Sequence, residues 1–367
     1  MSEKKKTQKA MLIDLIAPTM NKHQAMDRLV ELEELVNTFG GIVVVKTWQK
    51  RFHPHPKTFI GTGKVTLVGE EARELGANIL ILNAQLKPRQ IYELSELLRP
   101  YGMQVWDRVD LILKIFSKHA RTAEAKLEIE LASIRHMGPR IFGMGMELSR
   151  QGGGIGSVGI GETNSERMKR HLKEKERKIK DKLKTYQKGR DLARSGRARK
   201  GLKTVSVVGY TNAGKTTLLN ALTGRKEYTA NELFATLDTR VGQLFLPGSR
   251  STALLSDTIG FINDLPPELL NAFSSTLSEA VDASLLIHVV DGSDPNWVKH
   301  IKVVDDILER LGVSETPRIV VFNKEDQTTD RLKERIAQFC EGEAPIWISA
   351  VNKTGLKELV EKIENSL

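Results

Sequence analysis

The segment Gly209-Tyr-Thr-Asn-Ala-Gly-Lys-Thr216 carries two glycines, a lysine and a hydroxyl at the spacing that cradles a polyphosphate. An apolar run, residues 202–208, precedes it and a helix-compatible run, residues 215–223, follows, so the order is strand, glycine-rich turn, helix. Gly209 and Gly214 permit the tight turn. Successive N–H groups of Tyr210, Thr211, Asn212 and Ala213, with the first helical turn through Thr217, then face the β- and γ-phosphates of a nucleotide. Lys215 bridges those phosphates, and the Thr216 hydroxyl offers Mg²⁺ one of the few protein oxygens that ion takes.

Downstream pieces select guanine. Leu254-Leu-Ser-Asp257-Thr-Ile-Gly260 reads as a buried strand ending in an acid and then a glycine. Asp257 suits a carboxylate holding a Mg²⁺ water, and the Gly260 N–H suits the γ-phosphate. The short apolar strand 319–322 runs into Asn323-Lys324-Glu325-Asp326. Asp326 accepts from the guanine N1 and N2 donors, Asn323 braces the loop, and the Lys324 stem lies on the ring. Adenine would leave Asp326 buried and unpaired, at a cost of roughly 1 to 3 kcal/mol or more. A last strand, 346–348, ends in Ser349-Ala350, where a backbone N–H can meet guanine O6. A doubly wound sheet brings the loops after such strands to one edge.

Between the glycine turn and Asp257 lies Phe234-Ala-Thr-Leu-Asp-Thr-Arg240, a switch segment in which Thr236, or else Thr239, offers a hydroxyl to the metal. After Gly260 stands Phe261, where many GTPases place a glutamine that orients the attacking water. A phenyl ring makes no such hydrogen bond. Slow intrinsic turnover that rises when a partner orders the site is therefore expected, although Phe261 serves equally well as an apolar anchor. Asn212 occupies the place where potassium-activated GTPases carry an asparagine; it can hold K⁺ against the phosphates or simply stabilise the loop by a local Asx bond.

The 367 residues suffice for two or three domains. A lone cysteine, Cys340, excludes an intrachain disulfide and a cysteine metal cage. No run approaches the roughly 18 apolar residues of a membrane span, and residues 11–16 are too short and interrupted for a signal-peptide core, so a cytoplasmic protein is expected. Net charge is +10, yet residues 164–200 hold 16 Lys or Arg and 5 Asp or Glu, a local +11 that leaves −1 for the rest. Met168, Leu172, Ile179, Leu183 and Tyr186 recur at helical spacing there, predicting a helix with a narrow apolar stripe and a basic outer face. Leu127, Ile129, Leu131, Ile134 and Met137 predict a partner helix, and the two form a hairpin. Joining them is Gln151-Gly-Gly-Gly-Ile-Gly-Ser-Val-Gly-Ile-Gly161-Glu-Thr, a linker or a loop whose backbone approaches a nucleic-acid surface. Residues 1–108 alternate strands (11–16, 42–47, 79–82, 103–106) with helices (23–38, 63–75, 88–98), which implies a mostly parallel sheet. His53-Pro-His55-Pro lacks further ligands and reads as an extended loop rather than a metal site. Phe59-Ile-Gly-Thr-Gly-Lys64 lacks the spacing and hydroxyl of a phosphate loop.

Residues 151–163, 209–217 and 234–238, with Asp257-Thr-Ile-Gly-Phe-Ile262 leading to Leu265-Pro266, resemble the HflX family of ribosome-associated GTPases, and the likeness runs over nearly the whole chain. It implies an α/β chain: residues 1–108 an N-terminal α/β domain, 109–200 a helical hairpin with its glycine loop, and 201–367 a P-loop GTPase domain with a doubly wound, mostly parallel sheet. It also implies a factor that binds the large ribosomal subunit, splits idle or stalled ribosomes and is stimulated by that contact. The implied rRNA contacts are Arg150, Gln151, Gly152, Gly153, Gly154, Arg167, Lys169, Arg170 and Lys173. Thr239 departs from the proline common after Leu-Asp in the family, and with the chain ending at Leu367 no carboxy-terminal extension is expected. No heptad run specifies a dimer, so a monomer is expected. A ribosome-assembly or tRNA-linked GTPase, and an RNA-remodelling protein with secondary nucleotide use, are the competing readings.

Overall fold

The computed structural model describes residues 8–151, 164–199, 201–224, 233–234, 240–266, 269, 280–340 and 344–367. They form two compact units, one of residues 1–118 and 127–182, the other of residues 119–126 and 183–367.

In the first unit β1 (Lys9–Ile16), β2 (Ile42–Lys50), β3 (Ile79–Leu82) and β4 (Gln104–Asp107) form a wholly parallel sheet in the order β2-β1-β3-β4. Alternate residues of a strand face opposite ways. Met11, Ile13, Leu80 and Leu82 thus pack with Val65 and Val68 of α2 (Thr62–Leu75) and Leu94 and Leu98 of α3 (Pro88–Leu98). Leu12, Ile79 and Ile81, of opposite parity, are equally buried, so both faces are covered. The chain steps one way from β1 to β2 and the other way from β2 to β3, and right-handed crossovers send α1 (Lys22–Phe39) to the face opposite α2. Asn21 and Gln24 cap α1 reciprocally, and Gly40, at φ 89°, ends it.

The two doubtful motifs of this unit resolve into local structure. His55 Nδ1 lies 2.7 Å from the Thr58 hydroxyl and pairs through its backbone with Phe59, and Lys64 donates to the Thr47 hydroxyl at 2.9 Å. Helix α4 (Arg108–His119) follows β4 directly, and the hairpin consists of α5 (Ala123–Gln151) and α6 (Asn164–Arg199). Within this unit Arg135 bonds Glu176 (3.1 Å) and Lys175 bonds Glu130 (2.6 Å). The apolar stripe expected on α6 is only partly buried: Ile179 is 4% exposed, whereas Met168 and Tyr186 stand 43% and 41% open. Met137 of the partner helix is also exposed. Two helices packed along one seam bury a narrower strip than a helical-spacing count implies.

In the second unit β5 (Thr204–Gly209), β6 (Arg240–Leu246), β7 (Ser251–Asp257), β8 (Leu285–Asp291), β9 (Arg318–Asn323) and β10 (Ile346–Trp347) pair in the order β10-β9-β8-β5-β7-β6. All pairs are parallel except β6 with β7. One face buries Val205, Val207, Leu255 and Ile287 against Leu218 and Leu219 of α7 (Lys215–Thr223) and Leu359 and Ile363 of α10 (Leu356–Ser366). Another cluster joins Val290 and Phe322 to Trp297 and Ile301 of α8 (Trp297–Arg310) and Ile336 of α9 (Asp330–Phe339). The chain reverses direction across the sheet beside β5, so the loop after β5 lies at a topological switch point. No described helix is long and apolar enough to cross a membrane.

One polar cluster in the first unit is buried enough to govern its stability. Asp107 and Asp110 each accept from the other's backbone N–H, and Arg140 of α5 bonds both carboxylates, Asp110 at 2.7 Å. Ligand atoms of Asp107, Asp110 and His136 lie within 4.8 Å of one another, a spacing a metal can use, but the Arg140 guanidinium already supplies the positive charge. Burial alone raises the Asp110 carboxyl; hydrogen bonds from His136 and Arg140 outweigh it and hold it at about 2. Burial lowers His136, yet its bonds to Asp107 and Asp110 leave it above its ordinary value. The stabilisation from His136 is complete below its ordinary 6.5 and fades as pH climbs through the raised value; that from Asp110 is complete above 3.8 and fades as pH falls toward about 2. Arg140→Ala is expected to cost about 3 kcal/mol or more in denaturant unfolding, because two buried carboxylates lose their counter-charge. His136→Ala is expected to cost more near pH 5.5 than near pH 9. Equal costs at both pH values would deny His136 a charged role.

Candidate functional site

The loop after β5 turns within contact of β8. A side chain at Gly209 would place its Cβ 2.3 Å from the Val289 carbonyl oxygen, so only glycine passes there. Gly214, at φ 92°, begins α7, and a Cβ on it would meet Asn323 Nδ2 at 2.2 Å. Between them Asn212 is exposed and left-handed at φ 62°, a conformation asparagine tolerates better than most residues. That is a backbone reason for its presence.

Lys215 is buried and donates to the Tyr210 carbonyl at 2.7 Å. Desolvation pushes its ammonium down to about 8, against the attraction of Asp257. An ammonium has three donors, so two remain for phosphate oxygens. The Thr216 hydroxyl donates to Asp257 Oδ2 at 2.6 Å, at the end of β7. A hydroxyl and a carboxylate in contact beside the first turn of α7 are hard oxygen donors and fit Mg²⁺. Gly260 comes so close to the loop that a Cβ would lie 2.7 Å from Thr211 Cγ2 and 3.0 Å from Lys215 Nζ. Phe261 is 1% exposed; its N–H donates to the Gly209 carbonyl (3.2 Å) and its carbonyl accepts from the Thr211 N–H (2.8 Å). The backbone around Phe261 is thus stitched to the phosphate loop, and its ring is an interior group.

The base side is organised by Asn323. Its Nδ2 donates to the Ala213 carbonyl (2.8 Å), and its Oδ1 accepts from the Ala350 N–H (3.0 Å). The Ala350 N–H, the donor expected for guanine O6, is therefore engaged by the protein in this structure. Lys324, left-handed at φ 63°, pairs with Asp291 at 2.6 Å. Asp326 is exposed, and the Ser349 hydroxyl holds its carboxyl below the usual range. These residues share one edge of the sheet, as the strand ends required. Thr236 and Thr239, and Gly152, Gly153 and Gly154, lie outside the described residues; the Arg150 and Gln151 positions continue α5. Arg167, Lys169, Arg170 and Lys173 are exposed on α6.

Two participants had weak sequence signals. Asp291 closes the apolar strand β8 as Asp257 closes β7, a pattern that marks it in hindsight. His300 stacks on Tyr210 with ring centroids 3.8 Å apart and planes 10° from parallel, and the Tyr210 Oη accepts from the Asn263 N–H at 2.9 Å. A histidine on an amphipathic helix announces nothing of the kind. The Asn323 contacts yield a test: Asn323→Ala leaves a buried carbonyl and a buried N–H unmet, which is expected to cost about 2 kcal/mol of stability and tenfold or more in GDP affinity. A variant that melts and binds GDP like the parent removes the clamp from the account.

Three family models match in order: a GTP-binding GTPase N-terminal domain over residues 26–117, a GTP-binding GTPase middle region over 119–197 and a 50S ribosome-binding GTPase domain over 204–324. The GTPase HflX of Caldanaerobacter subterraneus subsp. tengcongensis is 41% identical over 360 residues, which span 98% of this chain and 81% of the relative. That of Escherichia coli strain K12 is 38% identical over 343 residues, 93% of this chain and 79% of the relative. A crystal structure of SsGBP in complex with GDP is similar over 98% of both chains, at 26% identity and a TM-score of 0.53. A P-loop GTPase domain and likeness of this order over nearly the whole chain lead to one conclusion: the chain is a GTP-binding, GTP-hydrolysing protein and belongs to the HflX family of GTPases.

Proposed function

We propose that this GTPase binds the large ribosomal subunit through rRNA contacts of the helical hairpin and separates idle or stalled ribosomes into subunits, with GTP hydrolysis stimulated by the ribosome. The observation that carries the reading is the local +11 of residues 164–200, borne by α6 with Arg167, Lys169, Arg170 and Lys173 open to solvent, in a chain that otherwise nets −1. A helix of that charge is matched by a polyanion, and the ribosome-binding description of the matched GTPase domain supports an rRNA one. Arg150, Gln151 and the glycines 152–154 complete the proposed contact.

At the nucleotide, Asp326 accepts from guanine N1 and N2, the Lys324 stem covers the ring, and residues 349–350 face O6. Gly209 to Thr217 wrap the phosphates, with Lys215 reaching the β- and γ-oxygens and the Gly260 N–H meeting the γ-phosphate. Thr216 and Asp257, joined by Thr236 from the switch segment, would hold Mg²⁺, which when bound offsets the negative charge shared by the β- and γ-phosphates. A water oxygen bonds the γ-phosphorus as the bond to the bridging oxygen breaks, and GDP and phosphate leave. Since the Phe261 side chain has no polar atom to orient that water, ordering of the site by the ribosome accelerates the step.

Intact ribosomes mixed with the protein and a slowly hydrolysed GTP analogue are expected to lose their intact peak on a sucrose gradient. Association with precursor particles alone would instead favour an assembly role, and RNA activity surviving Lys215→Ala an RNA-remodelling one. Binding to the large subunit is expected to weaken by roughly 10³ to 10⁵ between about 50 and 200 mM salt, and salt-independent binding would exclude the basic helix as its cause. Asn212 is proposed as a K⁺ ligand, so turnover is expected to be faster in KCl than in NaCl at matched ionic strength; equal rates leave Asn212 with its backbone role alone.

A further inference from the structure

We infer that a cavity along the free edge of β4, in the unit that does not carry the nucleotide edge, binds a small amphipathic anion: an apolar body with one carboxylate or sulfonate. Strand β4 ends its sheet, and the cavity beside it lies among α3, α4 and α5 with a volume of about 690 Å³. Every residue that borders it belongs to the first unit. Sites that enclose small ligands span roughly 300 to 1,000 Å³ and join apolar walls to a few placed polar groups. Ile91, Val105, Trp106, Leu113 and Met137 supply the walls here. Met137, left 42% exposed on the hairpin, thus has a surface to serve, and its unbranched thioether adapts to varied shapes.

The polar groups set the sign of the ligand. Three cations, Arg99, Lys114 and Arg140, border the cavity against one carboxylate, Asp110. Arg140 is spent on Asp107 and Asp110, and Arg99 pairs with Glu96. Lys114 differs. It is exposed, pairs with no acid among the described residues, and holds its ammonium 4.5 Å from the centre of the Trp106 ring, so a free cation stands at an apolar wall. The strand edge adds a fixed donor. The Gln104 N–H bonds the Asn78 carbonyl at 2.9 Å, so Gln104 faces β3, and alternation along the strand turns the Val105 N–H and carbonyl to the open side. The next outward N–H, that of Asp107, is already met by Asp110 at 3.0 Å. Around these stand the hydroxyls of Ser95, Ser117 and Ser133, bonded to no described residue. An anionic head accepts from the ammonium, the N–H and the hydroxyls alike, whereas a cation finds its one carboxylate taken.

Fluorescence titration of the full chain with anilinonaphthalene sulfonate, an aryl body bearing one sulfonate, tests this with GDP and Mg²⁺ in excess so that the nucleotide site is filled. Saturable binding is expected, with energy transfer that quenches indole emission mainly from Trp106, so Trp106→Phe removes most of the quenching. Lys114→Glu is expected to weaken the dye about tenfold or more, and Lys114→Arg to keep it within about twofold. Ser117→Phe, which places a ring at the border of the cavity, is expected to weaken it as well. Decanoate is expected to displace the dye where decanol, of the same chain length, does not. Dye affinity unchanged in Lys114→Glu overturns the inference, as does a parent chain without saturable binding, quenching that survives Trp106→Phe, or decanol that competes as well as decanoate. Lys114 and Ser117 are both exposed, so their variants are expected to fold, and the competition by decanoate and decanol reads the same question in the unaltered chain.

Discussion

The Asn323 carboxamide is the tie on which the nucleotide edge depends. One buried side chain closes on the Ala213 carbonyl of the phosphate loop and on the Ala350 N–H of the last strand's turn, so the end of β9 fixes loops after β5 and β10 at once. Charge plays no part in this, since an amide offers a donor and an acceptor without the desolvation cost of an ion. The glycines answer the same constraint. Gly209 slides past Val289, Gly214 past Asn323 and Gly260 past Thr211, in each case nearer than a Cβ allows. The site is a place where backbones touch, and its sequence is fixed by what cannot be accommodated as much as by what must be offered.

That explains which parts were legible before folding. A loop that must be glycine at two points, lysine and hydroxyl at two more, and follow an apolar strand is written locally, and α7 begins at Lys215 as the run of residues 215–223 implied. The parallel strands of the first unit were equally plain, because a strand covered on both faces reads as a short apolar run. Less was visible where partners are distant in sequence. Strand β6 is a one-sided edge strand, with Phe245 60% exposed between Leu244 and Leu246, and it owes its place to β7. Stacking of His300 on Tyr210, and the Arg140 bonds to Asp107 and Asp110, join residues 30 or more positions apart through geometry that no spacing encodes. The apolar stripe of α6 was overcounted for a related reason: helical period identifies a face, but the width buried depends on the partner.

Helix α6 carries far more positive charge than its own acids can match. Its acids are few and already used: Glu176 meets Arg135 and Lys180, and Glu174 meets Lys178. Exposed pairs of this kind contribute only about 0 to 1 kcal/mol each. Other cations of α6 reach acids beyond the helix: Lys175 pairs with Glu130, Arg190 with Glu124 and Arg194 with Asp282. The rRNA contact proposed above would give that excess over residues 164–200 its counter-charge.

The segment after Asp257 is tied to the phosphate loop at several points. Phe261 is bound to the phosphate loop by two backbone hydrogen bonds, one to Gly209 and one from Thr211, while Asn263 donates to the Tyr210 hydroxyl in the same loop. These bonds run between two parallel stretches of backbone, with Tyr210 paired to Phe261. Tyr210 gathers three of these contacts: its carbonyl accepts from Lys215, its hydroxyl accepts from Asn263, and its ring lies on His300 of α8. A phosphate that drew Lys215 toward itself would compete with the Tyr210 carbonyl for that ammonium, so occupancy of the loop bears on the residue whose ring and hydroxyl meet His300 and Asn263.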